Sequence, residues 1–184
     1  MDKASGGRRS GDLGVLLLLP FFLIRFGLLA LLDRHALVRA AHFAPMEGLE
    51  RAVYWVYQLS NAALLLRILT ARRLAGEPLL LAGGWALYGA GLALLALSAA
   101  AFAAPAEQGV RQSGVYRWSR NPMYCAYFLF FLGCALLLSS PLLAALTLLF
   151  QMAAHRVILA EERWCVQRFG EVYLQYCKAV RRYF

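Results

Sequence analysis

The stretch NPMYCAYFLFFLGCALLLSSPLLAALTLLFQMAAHRVI, residues 121–158, decides how this chain folds. Two apolar runs, 123–138 and 142–158, flank the polar break Ser139-Ser140-Pro141. Proline opens a helix well but disrupts its interior, because its ring fixes φ and it lacks an N–H. The break therefore predicts a turn, and the two runs an antiparallel helical hairpin whose arms each rise about 25 Å. One long kinked helix is the competing reading. Arms of that length suit a thin or locally shielded bilayer crossing. In lipid every backbone polar group needs an internal partner, which makes helices the spanning form open to these runs.

Working outward, three more apolar runs precede the hairpin, at 13–32, 49–69 and 79–104. Each is close to the ~20 residues that cross a ~30 Å hydrocarbon core. The first contains Pro20 and Arg25; the second is more amphipathic, with Arg51, Gln58, Asn61 and Arg67. In the third, Gly84, Ala86, Gly89, Ala90, Gly91 and Ala93 permit close helix packing. The expected fold is all-α: a polytopic integral membrane protein of about five transmembrane helices, with a C-terminal helical hairpin and a membrane-surface tail. Polarity rises only at Ala160, so residues 1–184 read as one domain, with three helices in 13–104 and the hairpin and tail in 109–184. Composition agrees, since 61% of the 184 residues are hydrophobic, 16% are charged and the mean hydropathy is +0.58. A soluble domain carries about 25% charged residues. Basic residues ahead of the first apolar run resemble a signal peptide, but Arg25 and further leucines stand where a cleavage site would follow. That run reads as a first transmembrane helix.

The net charge of +9 is concentrated in the connectors. A nucleic-acid partner would need a soluble basic face, and none is visible. Five spans put the first connector, the third connector and the C-terminus on one face, with twelve basic residues against six on the other. The positive-inside rule places that face in the cytoplasm, although the basic N-terminus argues the other way. Cys125, Cys134, Cys165 and Cys177 lack C-x-x-C spacing and metal-ligand pairing with histidine, so neither disulfides nor a metal are expected.

Two polar clusters stand out. In SGVYRWSRNPMYCAYF, residues 113–128, Asn121-Pro122 is a favoured helix opening. A helix start also offers free N–H groups to an anion, and Arg117 and Arg120 add charge beside Tyr116, Trp118 and Tyr124. An interfacial aromatic anchor is the other reading. Glu161-Glu162 is the second cluster. Adjacent helical residues diverge by about 100°, so one carboxylate can face inward as an ammonium ligand while its neighbour meets water; both being solvated is the plainer alternative. Arg156, beside His155 at the end of the last run, either snorkels to headgroups or clamps a carboxylate. Arg25, mid-span, must find a partner or a wet cavity. Tyr57, Gln58 and Asn61 suit interhelical glue, and His35 and His42 have no partner spacing.

Together, these elements resemble the isoprenylcysteine carboxyl methyltransferase and phospholipid methyltransferase group. Its pattern runs G-x-Y-x-x-x-R-H-P-x-Y, a helix pair, E-E, then F-G-x-x-Y-x-x-Y-x-x-x-V. Here it falls on Gly114, Tyr116, Arg120, Asn121, Pro122, Tyr124, Glu161, Glu162, Phe169, Gly170, Tyr173, Tyr176 and Val180. The likeness covers residues 109–182; the first three helices match only as generic spans. It implies an integral-membrane enzyme that uses S-adenosylmethionine, yielding S-adenosylhomocysteine, without a Rossmann domain. Carried over by motif, the cofactor site comprises Tyr116, Arg120, Asn121, Pro122, Met123, Tyr124, Glu161 and Glu162, with Val110 and Arg111 nearby. Glu161 is the expected ligand of the cofactor's ammonium, and the third connector from Gln108 to Arg111 approaches it. The resemblance also implies a catalytic, substrate-binding arginine near the end of the last arm. The matching position is Val157, and the adjacent Arg156 is the residue chosen.

Asn121 stands where the group has histidine, and Ala126 where it often has glycine, an exchange expected to crowd the cofactor slightly. The implied reaction is methylation of a lipophilic acceptor entering from the bilayer, at the cytoplasmic side of a bacterial inner membrane. Carboxyl O-methylation leads, with phospholipid amine N-methylation second; the implied partners are lipids, with no nucleic acid or metal. Other classes are an NADPH-dependent reductase of the sterol reductase type and a non-enzymatic adaptor in which both clusters are anchors.

Overall fold

The computed structural model describes residues 12–34, 44–46, 48–104, 106 and 109–184. Lys3, Arg8, Arg9, His35, Arg39, His42 and Gln108 lie outside the described residues. The elements of the described chain are helical. Helix α1 runs as Asp12–Phe22, a π-helical stretch Leu23–Leu28, and Leu29–Leu32. Pro20 lies inside it and has no N–H to give the preceding turn. Just beyond, the helix widens, and Arg25 sits in the widened part. Helix α2 is Leu49–Leu69 and α3 is Pro78–Ala103, which opens on its proline.

The hairpin forms as the proline break predicts. Helix α4, Pro122–Leu137, turns through Ser139, whose φ is 44°, into α5, Pro141–Phe169. The Ser140 hydroxyl accepts the Leu143 N–H at 3.3 Å and Pro141 takes the first helical position, so cap and proline together start α5. One expectation is corrected here. The polar segment beyond Ala160 does not begin as a surface tail, because α5 continues unbroken to Phe169. Its 29 residues span about 44 Å, more than a ~30 Å apolar core requires. The break comes at Gly170, with φ 56°, before the short helix α6, Glu171–Ala179.

Among the described residues, three helices are long and apolar enough to cross a membrane: Leu13–Leu32, Pro78–Ala103 and Pro141–Phe169. Pro122–Leu137 is a shorter apolar helix. The chain is an all-α polytopic membrane protein. Helices α1 to α5 close a ring in which α3 packs on α4, α4 on α5, α5 on α2, α2 on α1, and α1 back on α3. Lipid tails are as apolar as leucine, so burial alone does not hold such helices together; close contact does. A Cβ on Gly91 would stand 2.6 Å from the Phe130 nitrogen, and one on Gly133 2.5 Å from that of Tyr88, so the α3 and α4 backbones meet where glycine permits it. Ala86, Gly89, Ala90 and Ala93 point outward instead. Inside the ring Phe21 stacks on Phe130 at 4.6 Å, and the Tyr88 hydroxyl donates to the Leu17 carbonyl at 2.9 Å.

Candidate functional site

The polar run before α4 divides residue by residue. A 3₁₀ turn, Gly114–Arg117, carries Tyr116 inward while Arg117 and Trp118 face out, Trp118 being 73% exposed. Those two match the interfacial-anchor reading. Arg120 turns the other way and meets the end of the chain.

Glu162 is the centre of that meeting. Arg120 donates from Nε to Glu162 Oε1 at 3.1 Å and from Nη2 to Oε2 at 3.2 Å, while its Nη1 reaches the carbonyls of Cys177 and Val180 at 2.9 Å each. Arg182 donates to Glu162 Oε2 at 3.0 Å. That hydrogen bond raises the Arg182 guanidinium above its ordinary pKa. The Asn121 amide donates to Glu162 Oε1 at 3.2 Å and to the Arg182 carbonyl at 3.3 Å. Ser119 Oγ and the Arg120 N–H bind the carbonyls of Arg182 and Arg181. Behind this knot His155 Nδ1 and the Tyr183 hydroxyl lie 2.8 Å apart. The chain after α6 is thereby strapped across the start of α4.

Two expectations change with this geometry. Asn121 occupies the N-cap position, but its side chain makes no cap hydrogen bond. Both of its partners are acceptors, so the amide nitrogen is held away from α4 and toward Glu162, leaving the helix start without a side-chain cap. Ala126 is fully buried on the α3 side, its carbonyl beside Gly91, and does not line the cavity; it crowds α3 rather than a cofactor.

Glu161 lies about 100° around α5 from Glu162. It accepts a hydrogen bond from the Tyr124 hydroxyl at 3.1 Å and faces a cavity of about 650 Å³. That volume is in the ~300–1,000 Å³ range of small-molecule sites. The polar end of the cavity is walled by Tyr116, Arg120, Asn121, Met123, Tyr124, Glu161 and Glu162, joined by Val110 and Arg111 from the third connector and by Tyr173 and Tyr176 from α6. Burial pushes the hydroxyls of Tyr116, Tyr173 and Tyr176 above their ordinary pKa, so they remain protonated. Tyr176 donates to the Tyr116 carbonyl at 2.7 Å. The apolar end is formed by Phe21, Leu65, Phe131 and Phe150, with Tyr57 stacked on Phe150 at 4.9 Å.

The structure thus brings together all the proposed cofactor-binding residues except Pro122, which is buried but does not line the cavity. It does not bring Arg156 there: Arg156 is exposed on α5, beside the buried Val157, and neither lines the cavity. Residues read as glue do line it. Gln58 donates to Tyr54 on its own helix at 3.0 Å, and Gln58, Asn61 and Arg25 all face the cavity. The signal was present in the sequence, as polar side chains within apolar runs, one of them charged.

Residues 99–172 match the family model described as phospholipid methyltransferase. The matched segment runs from the end of α3 through the 3₁₀ turn, α4 and α5 to the start of α6, and includes both Tyr116–Tyr124 and Glu161–Glu162. It bears out the resemblance to the isoprenylcysteine carboxyl methyltransferase and phospholipid methyltransferase group, and it supports a membrane methyltransferase. No curated protein and no solved structure matches the chain.

Proposed function

We propose that this chain is an S-adenosylmethionine-dependent methyltransferase that acts on a lipophilic acceptor drawn from the bilayer, with carboxyl O-methylation as its reaction. The observation that carries the proposal is the division of the acidic pair. Glu162 is spent on Arg120 and Arg182, while Glu161 faces a cavity that is polar at one end and apolar at the other. The donor set fits the cofactor. A carboxylate suits its ammonium, the uncapped start of α4 suits its carboxylate, and the protonated tyrosines bound the polar end as hydrogen-bonding walls. When bound, it supplies an electrophilic methyl group on a sulfonium.

What the chain adds is position and dryness. Aromatic side chains dominate the cavity beyond Tyr124 and exclude water from the acceptor's approach. A carboxylate acceptor is already ionised near neutral pH and needs no base. In this reading entry is sideways, between α1 and α2: the two helices touch where Gly14 lies against the carbonyls of Ile68 and Leu69, and farther along Phe22 and Phe26 on one and Gln58, Asn61 and Leu65 on the other line the cavity. Phe22 and Phe26 are also exposed on the outer surface, where lipid would lie. The polar end faces the cytoplasm of a bacterial inner membrane, a placement supported by the basic residues of the third connector and C-terminal segment.

The family description favours a second reading, N-methylation of a phospholipid amine. An ammonium acceptor must first lose a proton, and Glu161 cannot hold the cofactor's ammonium and serve as that base together. Calorimetric titration tests the class: purified protein binds S-adenosylhomocysteine and not NADPH, and the reverse result ends the methyltransferase reading. Labelled methyl transfer then tests the acceptor. A product ester releases its label as methanol in alkali, whereas an alkali-stable label on phosphatidylethanolamine establishes the amine reading.

A further inference from the structure

Arg25 is a cation placed inside the first membrane span. Such residues face bundle interiors or wet cavities and mark sites of function. It sits in the π-helical stretch Leu23–Leu28, a local widening that is common at functional sites. It lines the cavity with Gln58 and Asn61 of α2.

We infer that Arg25 holds the anionic head, a carboxylate, of the bilayer-borne acceptor and so determines which lipids are accepted; its purpose rests on the methyltransferase reading. Three arginines line the cavity among the described residues. Arg120 belongs to the Glu162 knot, and Arg111 lies over the Phe102 ring at 4.4 Å on the connector side. Arg25 comes from the apolar side, roughly 10 Å into the bundle from the Leu32 end of α1. Tyr57 and Tyr127 enter to similar depths, roughly 12 Å from Leu49 and 8 Å from Pro122. Tyr127 lines the same cavity as Arg25.

Among the described residues, the carboxylates that line the cavity are both on α5. Glu161 is hydrogen-bonded by Tyr124, and Glu162 is held by two arginines. A carboxylate at Arg25 therefore lies apart from the ammonium ligand, with its chain among Phe21, Phe131 and Phe150. A guanidinium fork matches that head bidentately, and Gln58 and Asn61 offer amide donors beside it. An amine head would meet a like charge there. The cation thus selects for an acid and against an unshielded amine.

The test uses the full chain in detergent, with N-acetyl-S-farnesylcysteine and its methyl ester as probes, each titrated with and without S-adenosylhomocysteine. Wild type is expected to bind the acid about tenfold or more tighter than the ester. Arg25→Gln removes that preference while its affinities for the ester and for S-adenosylhomocysteine stay within about threefold of wild type. Arg25→Lys keeps the charge and part of the preference. Equal binding of acid and ester by wild type overturns the inference, as does a preference that survives in Arg25→Gln. Equal weakening of acid, ester and S-adenosylhomocysteine by Arg25→Gln also overturns it, since that is the mark of a structural role. A farnesyl phosphate that outcompetes the acid overturns the choice of a carboxylate. An Arg25-dependent acid preference in protein that does not bind S-adenosylhomocysteine supports Arg25 and overturns the cofactor assignment alone.

Discussion

Among the arginine–glutamate pairs that tie α5 to its surroundings in the described residues, Arg163–Glu50 is shorter than Arg120–Glu162 and yet the weaker. Arg163 meets Glu50 at the start of α2 with contacts of 2.6 and 2.7 Å, but these side chains are 50% and 32% exposed. Arg120 meets Glu162 at 3.1 and 3.2 Å with side chains only 9% and 11% exposed. Exposed pairs contribute about 0–1 kcal/mol, because water screens the attraction and two long side chains must be ordered. Breaking a buried pair costs about 3–5 kcal/mol, because the surviving charge is left without compensation. Environment outweighs an ångström fraction of length. The buried pair is also the one that matters for the site, since it fixes which way Glu161 faces.

The largest effect that would break this contrast is at Arg120. Arg120→Ala should lose about 3–5 kcal/mol of stability by denaturant unfolding in detergent and bind no S-adenosylhomocysteine. An unfolding curve like that of wild type would show that the knot does not hold the C-terminal strap. Next come the adjacent glutamates, whose exchanges should fail differently. Glu162→Gln lowers stability by about 1.5–3 kcal/mol, through weakened hydrogen bonds to two arginines. Glu161→Gln leaves unfolding unchanged and weakens S-adenosylhomocysteine about 10- to 100-fold, the effect of one charge-assisted hydrogen bond. Matching stability losses in the two variants, with matching affinities, would erase the division of labour between them.

Smaller changes sharpen the picture. Asn121→His keeps an N–H that can reach Glu162 or the Arg182 carbonyl, so calorimetry should find S-adenosylhomocysteine affinity within about threefold of wild type. A large loss would mean that the amide, and not the open helix start, receives the cofactor. The smallest effect is at Glu50→Gln, at most about 1 kcal/mol and fading as salt is added. A cost as large as that at Arg120 would place the α2–α5 clasp on the same footing as the buried knot.

Much of the fold was legible because its signals are local. Pro141 after two serines marked the hairpin turn, and Asn121-Pro122 marked a helix start, since a residue without an N–H has few other places to go. The extent of α5 was less legible. Ala160 marks the end of the apolar run, whereas a helix ends where its backbone bonds end, and that waits for Gly170. The site was legible in its members and illegible in their roles. Nothing in the local pattern separates Arg117, which faces out, from Arg120, which carries the knot, because the difference lies with Cys177, Val180 and Glu162 far along the chain. The same holds for Asn121: its capping preference is intrinsic, and two distant acceptors override it.

By itself, the sequence determined that this is a helical membrane protein with a proline-opened hairpin and a paired polar motif on either side of it. Those properties follow from hydrophobic length, proline stereochemistry and spacing, which need no knowledge of what touches what. Only the tertiary structure decided that Glu162 is a structural residue and Glu161 a cavity one, that Arg156 stays outside, and that Arg25 with Gln58 and Asn61 looks into the cavity. Such choices depend on the rotation of each helix against its neighbours, and glycine contacts and a buried charge knot fix that rotation in three dimensions.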